Sequence, residues 1–123
     1  MTEDTNTKIY DLEERTYLFA KNCRVFVNKL RKSISNIEDG KQLIRSSGSV
    51  GANYIEANEN LGTKDAIFRF KVCRKEAKES AFWLRLLKAT NDESFYQEFD
   101  QQIQEANELK MIFNSIVNKK SLK

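Results

Sequence analysis

From Asp11 to Lys32 the apolar positions Leu12, Phe19, Ala20, Cys23, Phe26, Val27 and Leu30 recur at steps of three and four, the period of a helix with one buried face. Asp11 stands where an N-cap belongs, with Glu14 three residues on, and the acidic pair Glu13-Glu14 suits the positive end of the helix dipole. The polar stretch Ser33 to Gly40 reads as the first connection. A second stripe, Leu43, Ile44, Ser47, Val50, Tyr54 and Ala57, predicts a helix over 41–60, although Ser46, Ser47, Gly48, Ser49, Gly51 and Ala52 are poor helix formers. Each Gly there costs about 1 kcal/mol relative to Ala, so either a neighbouring backbone comes close or the run is a loop. The helix is the better reading, because large apolar residues keep the period on both sides. Leu61-Gly62 supplies the stop and Thr63 the next N-cap, with Asp65 in the first turn. Ala66, Phe70, Cys73, Ala77, Ser80, Leu84 and Leu87 predict a third helix over 64–89 with a heptad-like seam. After Thr90-Asn91-Asp92, the residues Phe95, Phe99, Ile103, Ala106, Leu109, Phe113 and Ile116 predict a fourth over 93–118, followed by the basic tail Lys119 to Lys123. Four long amphipathic helices with short links give an all-α, up-down-up-down four-helix bundle, expected as one domain over residues 1–123.

Composition narrows the chemistry more than the fold. The 123 residues are 40% apolar and 32% charged, with four Gly and no Pro, too few turn formers for an all-β domain. No apolar run approaches the ~20 residues needed to span a bilayer, and Met1 to Lys8 is polar without a signal-peptide core, so the expectation is a cytoplasmic protein that does not engage membranes. Histidine is absent, which removes the commonest general base, the commonest metal ligand and every Ser-His or Cys-His nucleophile pair. Cys23 and Cys73 lie 50 residues apart on apolar faces and read as reduced core thiols. Carboxylate di-iron bundles need Glu-x-x-His pairs, and no Gly-rich phosphate loop or dinucleotide fingerprint is present. Catalysis, a bound metal and a cofactor are therefore not expected.

The charge is unevenly placed. The chain carries +3 overall, but residues 63–90 alone carry +5. Lys71, Arg74, Lys75 and Lys78 fall at i, i+3, i+4 and i+7, with Lys64, Arg69 and Arg85 as auxiliaries along the same helix. Such a stripe is suited to following a phosphate backbone; the plainer alternative is a solvated face that keeps the protein soluble. A second polar set joins Arg45, Asn53 and Glu56 on the second helix with Glu76, Glu79 and Trp83 on the third. An aromatic among a few charges suits a structural or subunit contact, with Arg45 meeting Glu76 or Glu79 within the chain or across a boundary; the alternative is ordinary exposed charge.

The blocks Tyr10-Asp11-Leu12-Glu13-Glu14-Arg15-Thr16, Gln42-Leu43 with Arg45-Ser46, Ser49-Val50-Gly51-Ala52-Asn53 with Glu56, and Lys75-Glu76-Ala77-Lys78-Glu79-Ser80 leading into Phe82-Trp83-Leu84, resemble in order and spacing the family of 23S rRNA intervening-sequence proteins. The resemblance spans nearly the whole chain. It implies a bacterial protein of undefined cellular role that forms a left-handed four-helix bundle and assembles as a homopentamer around a central channel. The accessory proteins of diversity-generating retroelements are similar in fold and pair with a reverse transcriptase and nucleic acid through basic surfaces. The resemblance therefore favours rRNA or another structured nucleic acid as ligand of the basic stripe, a protein partner as the alternative, and a structural or subunit role for the Arg45 set. Two positions depart from the family pattern: no Pro follows Leu30, and Ala57 stands where Gly is usual after the second-helix Glu.

Overall fold

The computed structural model describes residues 11–59 and 62–121. Expectations resting on Met1 to Tyr10, on Asn60 and Leu61, and on Leu122 and Lys123 lie outside the described residues. Four α-helices, α1 (Leu12–Val27), α2 (Ile34–Glu59), α3 (Thr63–Ala89) and α4 (Tyr96–Ser121), hold nearly all of the described chain, and a single 3-10 turn, Glu93–Phe95, leads into the last.

Neighbouring helices run in opposite directions, as their pairings show. Phe70 meets Phe113 and Lys88 meets Asp100 between α3 and α4. Cys73 reaches Val50, and Arg45 reaches Glu79, between α2 and α3. Arg15 meets Glu105 while Lys29 meets Glu98, so α4 also lies antiparallel to α1. The core these helices share has aromatic clusters toward its ends and, between them, Phe19 and several leucines interleaved with small and polar side chains. Phe26 packs edge-on to Phe99 at 4.3 Å near one end, and Phe113 lies 5.9 Å from Tyr54 and 6.4 Å from Phe70 near the other. Between them sit the fully buried Cys23, Ser46, Ser47, Cys73 and Ser80. Ser80 donates to the Glu76 carbonyl at 2.9 Å, which leaves Ser46 to donate to Ser80 Oγ at 2.8 Å. Every hydroxyl so buried needs a partner, since an orphaned one costs about 1–3 kcal/mol.

The small residues of α2 are helical, and the reason is close approach. A Cβ at Gly51 would stand 3.1 Å from Thr16 Oγ1 and 3.3 Å from Thr16 Cβ, while one at Gly48 would stand 3.0 Å from the Arg24 guanidinium. Thr16 cannot turn aside freely, because its hydroxyl donates to the carbonyls of Leu12 and Glu13. Packing of α1 thus overrides the weak local propensity.

Several expected boundaries move, α4 running over Tyr96–Ser121 rather than 93–118. α1 ends at Val27 rather than near Lys32, yet Leu30 remains buried from within the link. α2 begins at Ile34, so the polar stretch expected as a connection forms its first two turns. Ser33 caps it by accepting from the Asn36 amide at 3.1 Å, and Asn36 exchanges two side-chain hydrogen bonds with Asn91, at 2.8 and 2.9 Å. Asn36 and Asn91 also donate to the carbonyls of Arg31 and Leu87, clamping two chain reversals together. Polar residues of two expected connections are therefore paired with each other, Asn36 buried and Asn91 half-buried. At the helix starts, Asp11 holds the N-cap position without a side-chain capping bond, and Gly62 rather than Thr63 is the N-cap of α3.

Candidate functional site

The outward side of α3 carries Lys64, Lys71, Lys78 and Arg85, spaced by seven residues, with Lys75 between them; all are exposed. At 1.5 Å per residue this row runs about 32 Å. Arg74 lies at the α4 edge of the row, where its guanidinium donates to Asn114 Oδ1 at 2.8 Å. There Arg74, Lys75 and Lys78 join Lys110, Met111 and Asn114 of α4 around one solvent-open cavity of about 590 Å³. No carboxylate is among the residues lining it. Lys75 also approaches the Glu76 carboxylate at 3.8 Å.

Four cations of α3 are placed differently. Arg69 turns toward α2 and donates to Asn53 Oδ1 at 2.9 Å, away from the α4 edge, so it belongs to the second polar set. Lys88 is engaged with Asp100 at 2.7 Å and lies over the Tyr96 ring at 5.0 Å. Lys64 and Arg85 stand at opposite ends of the row, so neither reaches the cavity. Lys110, Met111 and Asn114 are the residues that sequence reasoning missed. Nothing in the period of α4 marks them, and only the packing of α4 beside α3 brings Lys110 to Arg74.

The second polar set meets within a single chain. Arg45 reaches Glu76 at 3.6 Å and Glu79 at 3.4 Å, bridging α2 to α3. Asn53 donates to Ser49 while accepting from Arg69, and Glu56 is exposed. Glu76 is buried rather than lying off the seam, at 5% exposure, because α2 covers that side of α3. Its Oε1 and the buried indole nitrogen of Trp83 have no hydrogen-bond partner. Trp83 packs against the core, and the more exposed ring is its neighbour Phe82, which meets it edge-to-face at 5.0 Å.

Elsewhere, Arg15 donates to Glu105 at 2.7 and 2.9 Å and to Glu108 at 2.7 Å, and the Glu105 hydrogen bonds, followed by the Glu108 contact, push its pKa up against the opposing effect of burial. This clamp ties α1 to α4. Burial pushes both thiols up to about 12, so Cys23 and Cys73 are protonated and inert near neutral pH. Among the described residues no group of His, Cys, Asp or Glu is arranged to hold a metal ion, and no helix is long and apolar enough to cross a membrane.

No curated protein matches the chain. Among solved structures it is similar to a crystal structure of a protein of unknown function from the S23 ribosomal protein family of Bacteroides thetaiotaomicron. The two share 25% identity and a TM-score of 0.74 over 90% of this chain and 98% of that one. The family model described as 23S rRNA-intervening sequence protein matches residues 8–115. With that match over most of its length and four packed helices in agreement, the chain belongs to the family of 23S rRNA-intervening sequence proteins.

Proposed function

We propose that this protein is a non-enzymatic, homo-oligomeric binding protein for structured nucleic acid, and that the cationic wall of α3 and α4 is the surface it uses. The observation that carries the reading is the convergence of Arg74, Lys75, Lys78 and Lys110, from two helices, on one cavity whose lining holds no carboxylate. Like charges brought together raise the local positive potential, which a polyanion relieves. Lys71, Lys64 and Arg85 extend the wall along α3, so that successive phosphates of one backbone meet successive cations. Contacts of this kind position a protein on nucleic acid without reading its sequence.

The assembly implied by the family resemblance is a left-handed bundle forming a homopentamer. Ile34, at 86% exposure and away from the cationic cavity, supports an assembly that covers apolar surface. Repeating the cationic wall around a ring multiplies the phosphate contacts available to one ligand.

Fluorescence anisotropy of a labelled rRNA hairpin tests the reading. Binding is expected to weaken by orders of magnitude between about 50 and 200 mM salt, and to be lost in a Lys71→Glu, Lys75→Glu, Lys78→Glu variant that remains folded. The exposed Phe82 and Leu86 beside Trp83 favour a second reading, a protein-interaction module that serves a nucleic-acid enzyme. A folded protein that binds no RNA at low salt would overturn the first reading and favour the second.

A further inference from the structure

The outward side of α3 is not uniformly charged. Phe68 and Phe82 are 59% and 51% exposed. Fourteen residues separate them, close to four helical turns, so both rings stand on the same side, about 21 Å apart. Lys71, Lys75 and Lys78 occupy that side between them, together with Glu79, whose carboxylate is held by Arg45 at 3.4 Å. We infer that this face binds unpaired nucleotides, with Phe68 and Phe82 as platforms on which bases stack while the lysines between them hold the phosphates. The inference rests on the proposed nucleic-acid reading and narrows it from structured nucleic acid in general to a single-stranded segment, such as a loop or a splayed end.

Charge selects the class of occupant. Phenyl rings exposed among three lysines repel a basic partner and give a neutral apolar partner little reason to bury the ammonium groups. A polyanion with flat apolar faces satisfies both. A duplex does not, because its bases are stacked inside and only phosphates reach a straight helix face, so the rings would meet charge. An unpaired strand offers its bases as well, and stacking on an aromatic ring tolerates any sequence. Phe82 is also restrained in its orientation, since its edge-to-face contact with Trp83, which is itself packed against the core, limits how far the ring can turn. A stacked strand advances about 3.4 Å per nucleotide, so the distance between the rings takes about six nucleotides.

The test compares a single-stranded RNA with an RNA duplex of equal total charge, both labelled, by anisotropy at one salt concentration. Proteins tested are the full chain, Phe82→Ala, Phe68→Ala/Phe82→Ala, Phe82→Trp and the Lys71/Lys75/Lys78 charge reversal, with size-exclusion chromatography on each. Phe82→Ala is expected to weaken single-strand binding by about fivefold or more, and the double variant by a further similar factor, with duplex binding nearly unchanged. Phe82→Trp is expected to retain or tighten it. Phenylalanine variants that bind the single strand as the parent does would overturn the inference and leave nucleic-acid binding standing, provided the charge reversal still abolishes it. An altered oligomeric state in Phe68→Ala/Phe82→Ala, with both RNAs weakened alike, would also overturn it and assign the rings to self-association. Binding of neither RNA by the parent protein ends both readings together.

Discussion

The α1–α2 seam and the α3–α4 edge solve opposite problems with the same kind of helix. On the first, Gly48 and Gly51 remove side chains so that Thr16 and Arg24 come against the α2 backbone. Arg24 illustrates the consequence: its half-buried guanidinium donates to the Ala20 and Ile44 carbonyls. On the second, long cations line the rim of a solvent-open surface cavity of about 590 Å³, larger than the hollow of about 390 Å³ along the first, while the core side of α3 and α4 stays packed through Phe70 and Phe113. Small residues close an interface because nothing remains to hold the backbones apart. Long like-charged ones leave the outer rim of an edge hydrated, since their mutual repulsion and hydration both keep their ends in solvent even where the core side is packed. A bundle with uniform seams has no such contrast, and here the open edge is also the most cationic part of the chain.

The contrast breaks most visibly at the open edge. Reversing Lys71, Lys75 and Lys78 to Glu is expected to lower RNA affinity by at least about a hundredfold while leaving thermal stability nearly unchanged, as anisotropy and calorimetry would show. The converse experiment fills the closed seam. Gly51→Val, which presses a branched side chain against a Thr16 fixed by two hydrogen bonds, is expected to cost about 2 kcal/mol. In a chain of this size that lowers Tm by roughly 8 °C, with no effect on RNA affinity per folded molecule. Lys110→Glu sharpens the comparison, because Lys110 enters the edge only through packing: about tenfold weaker RNA binding is expected, and an unchanged affinity would confine the surface to α3.

Smaller effects lie between the two regions. Arg45→Ala leaves the buried Glu76 with one cation fewer, and because Arg45 is itself half exposed, a loss of only about 1 kcal/mol is expected in denaturant unfolding. The smallest concerns pH. Both thiols are pushed from 9.0 up to about 12 by burial, so the folded state holds their protons more tightly than the unfolded chain does. Their contribution is fully present below about 9 and is lost as the pH rises from there toward about 12. Native protein should accordingly resist thiol alkylation near neutral pH and react only as fast as it unfolds.

Much of this is legible in the sequence alone. Four apolar stripes located four helices, and the family blocks agree with the match over residues 8–115. The core ends of α3, from Ala66 to Leu87, fell where a heptad places them. The start of α2 was not legible, because Asn36 and Asn91 stand in polar stretches that read as connections until each is seen to complete the other's hydrogen bonding. Nor was the burial of Glu76, which depends on α2 covering one side of α3.

What the sequence determined by itself is therefore the periodic part: helix number, the buried faces, the cationic character of α3 and the lack of histidine chemistry. Periodicity is local, and a repeat of three and four residues is enough to state it. What only the tertiary structure decided is which side chains from different helices meet. Lys110 beside Arg74, Arg15 between Glu105 and Glu108, and Gly51 under Thr16 are fixed by the rotation and offset of one helix against another. Those depend on how all the side chains of the core fit at once, a property no single stretch of sequence contains.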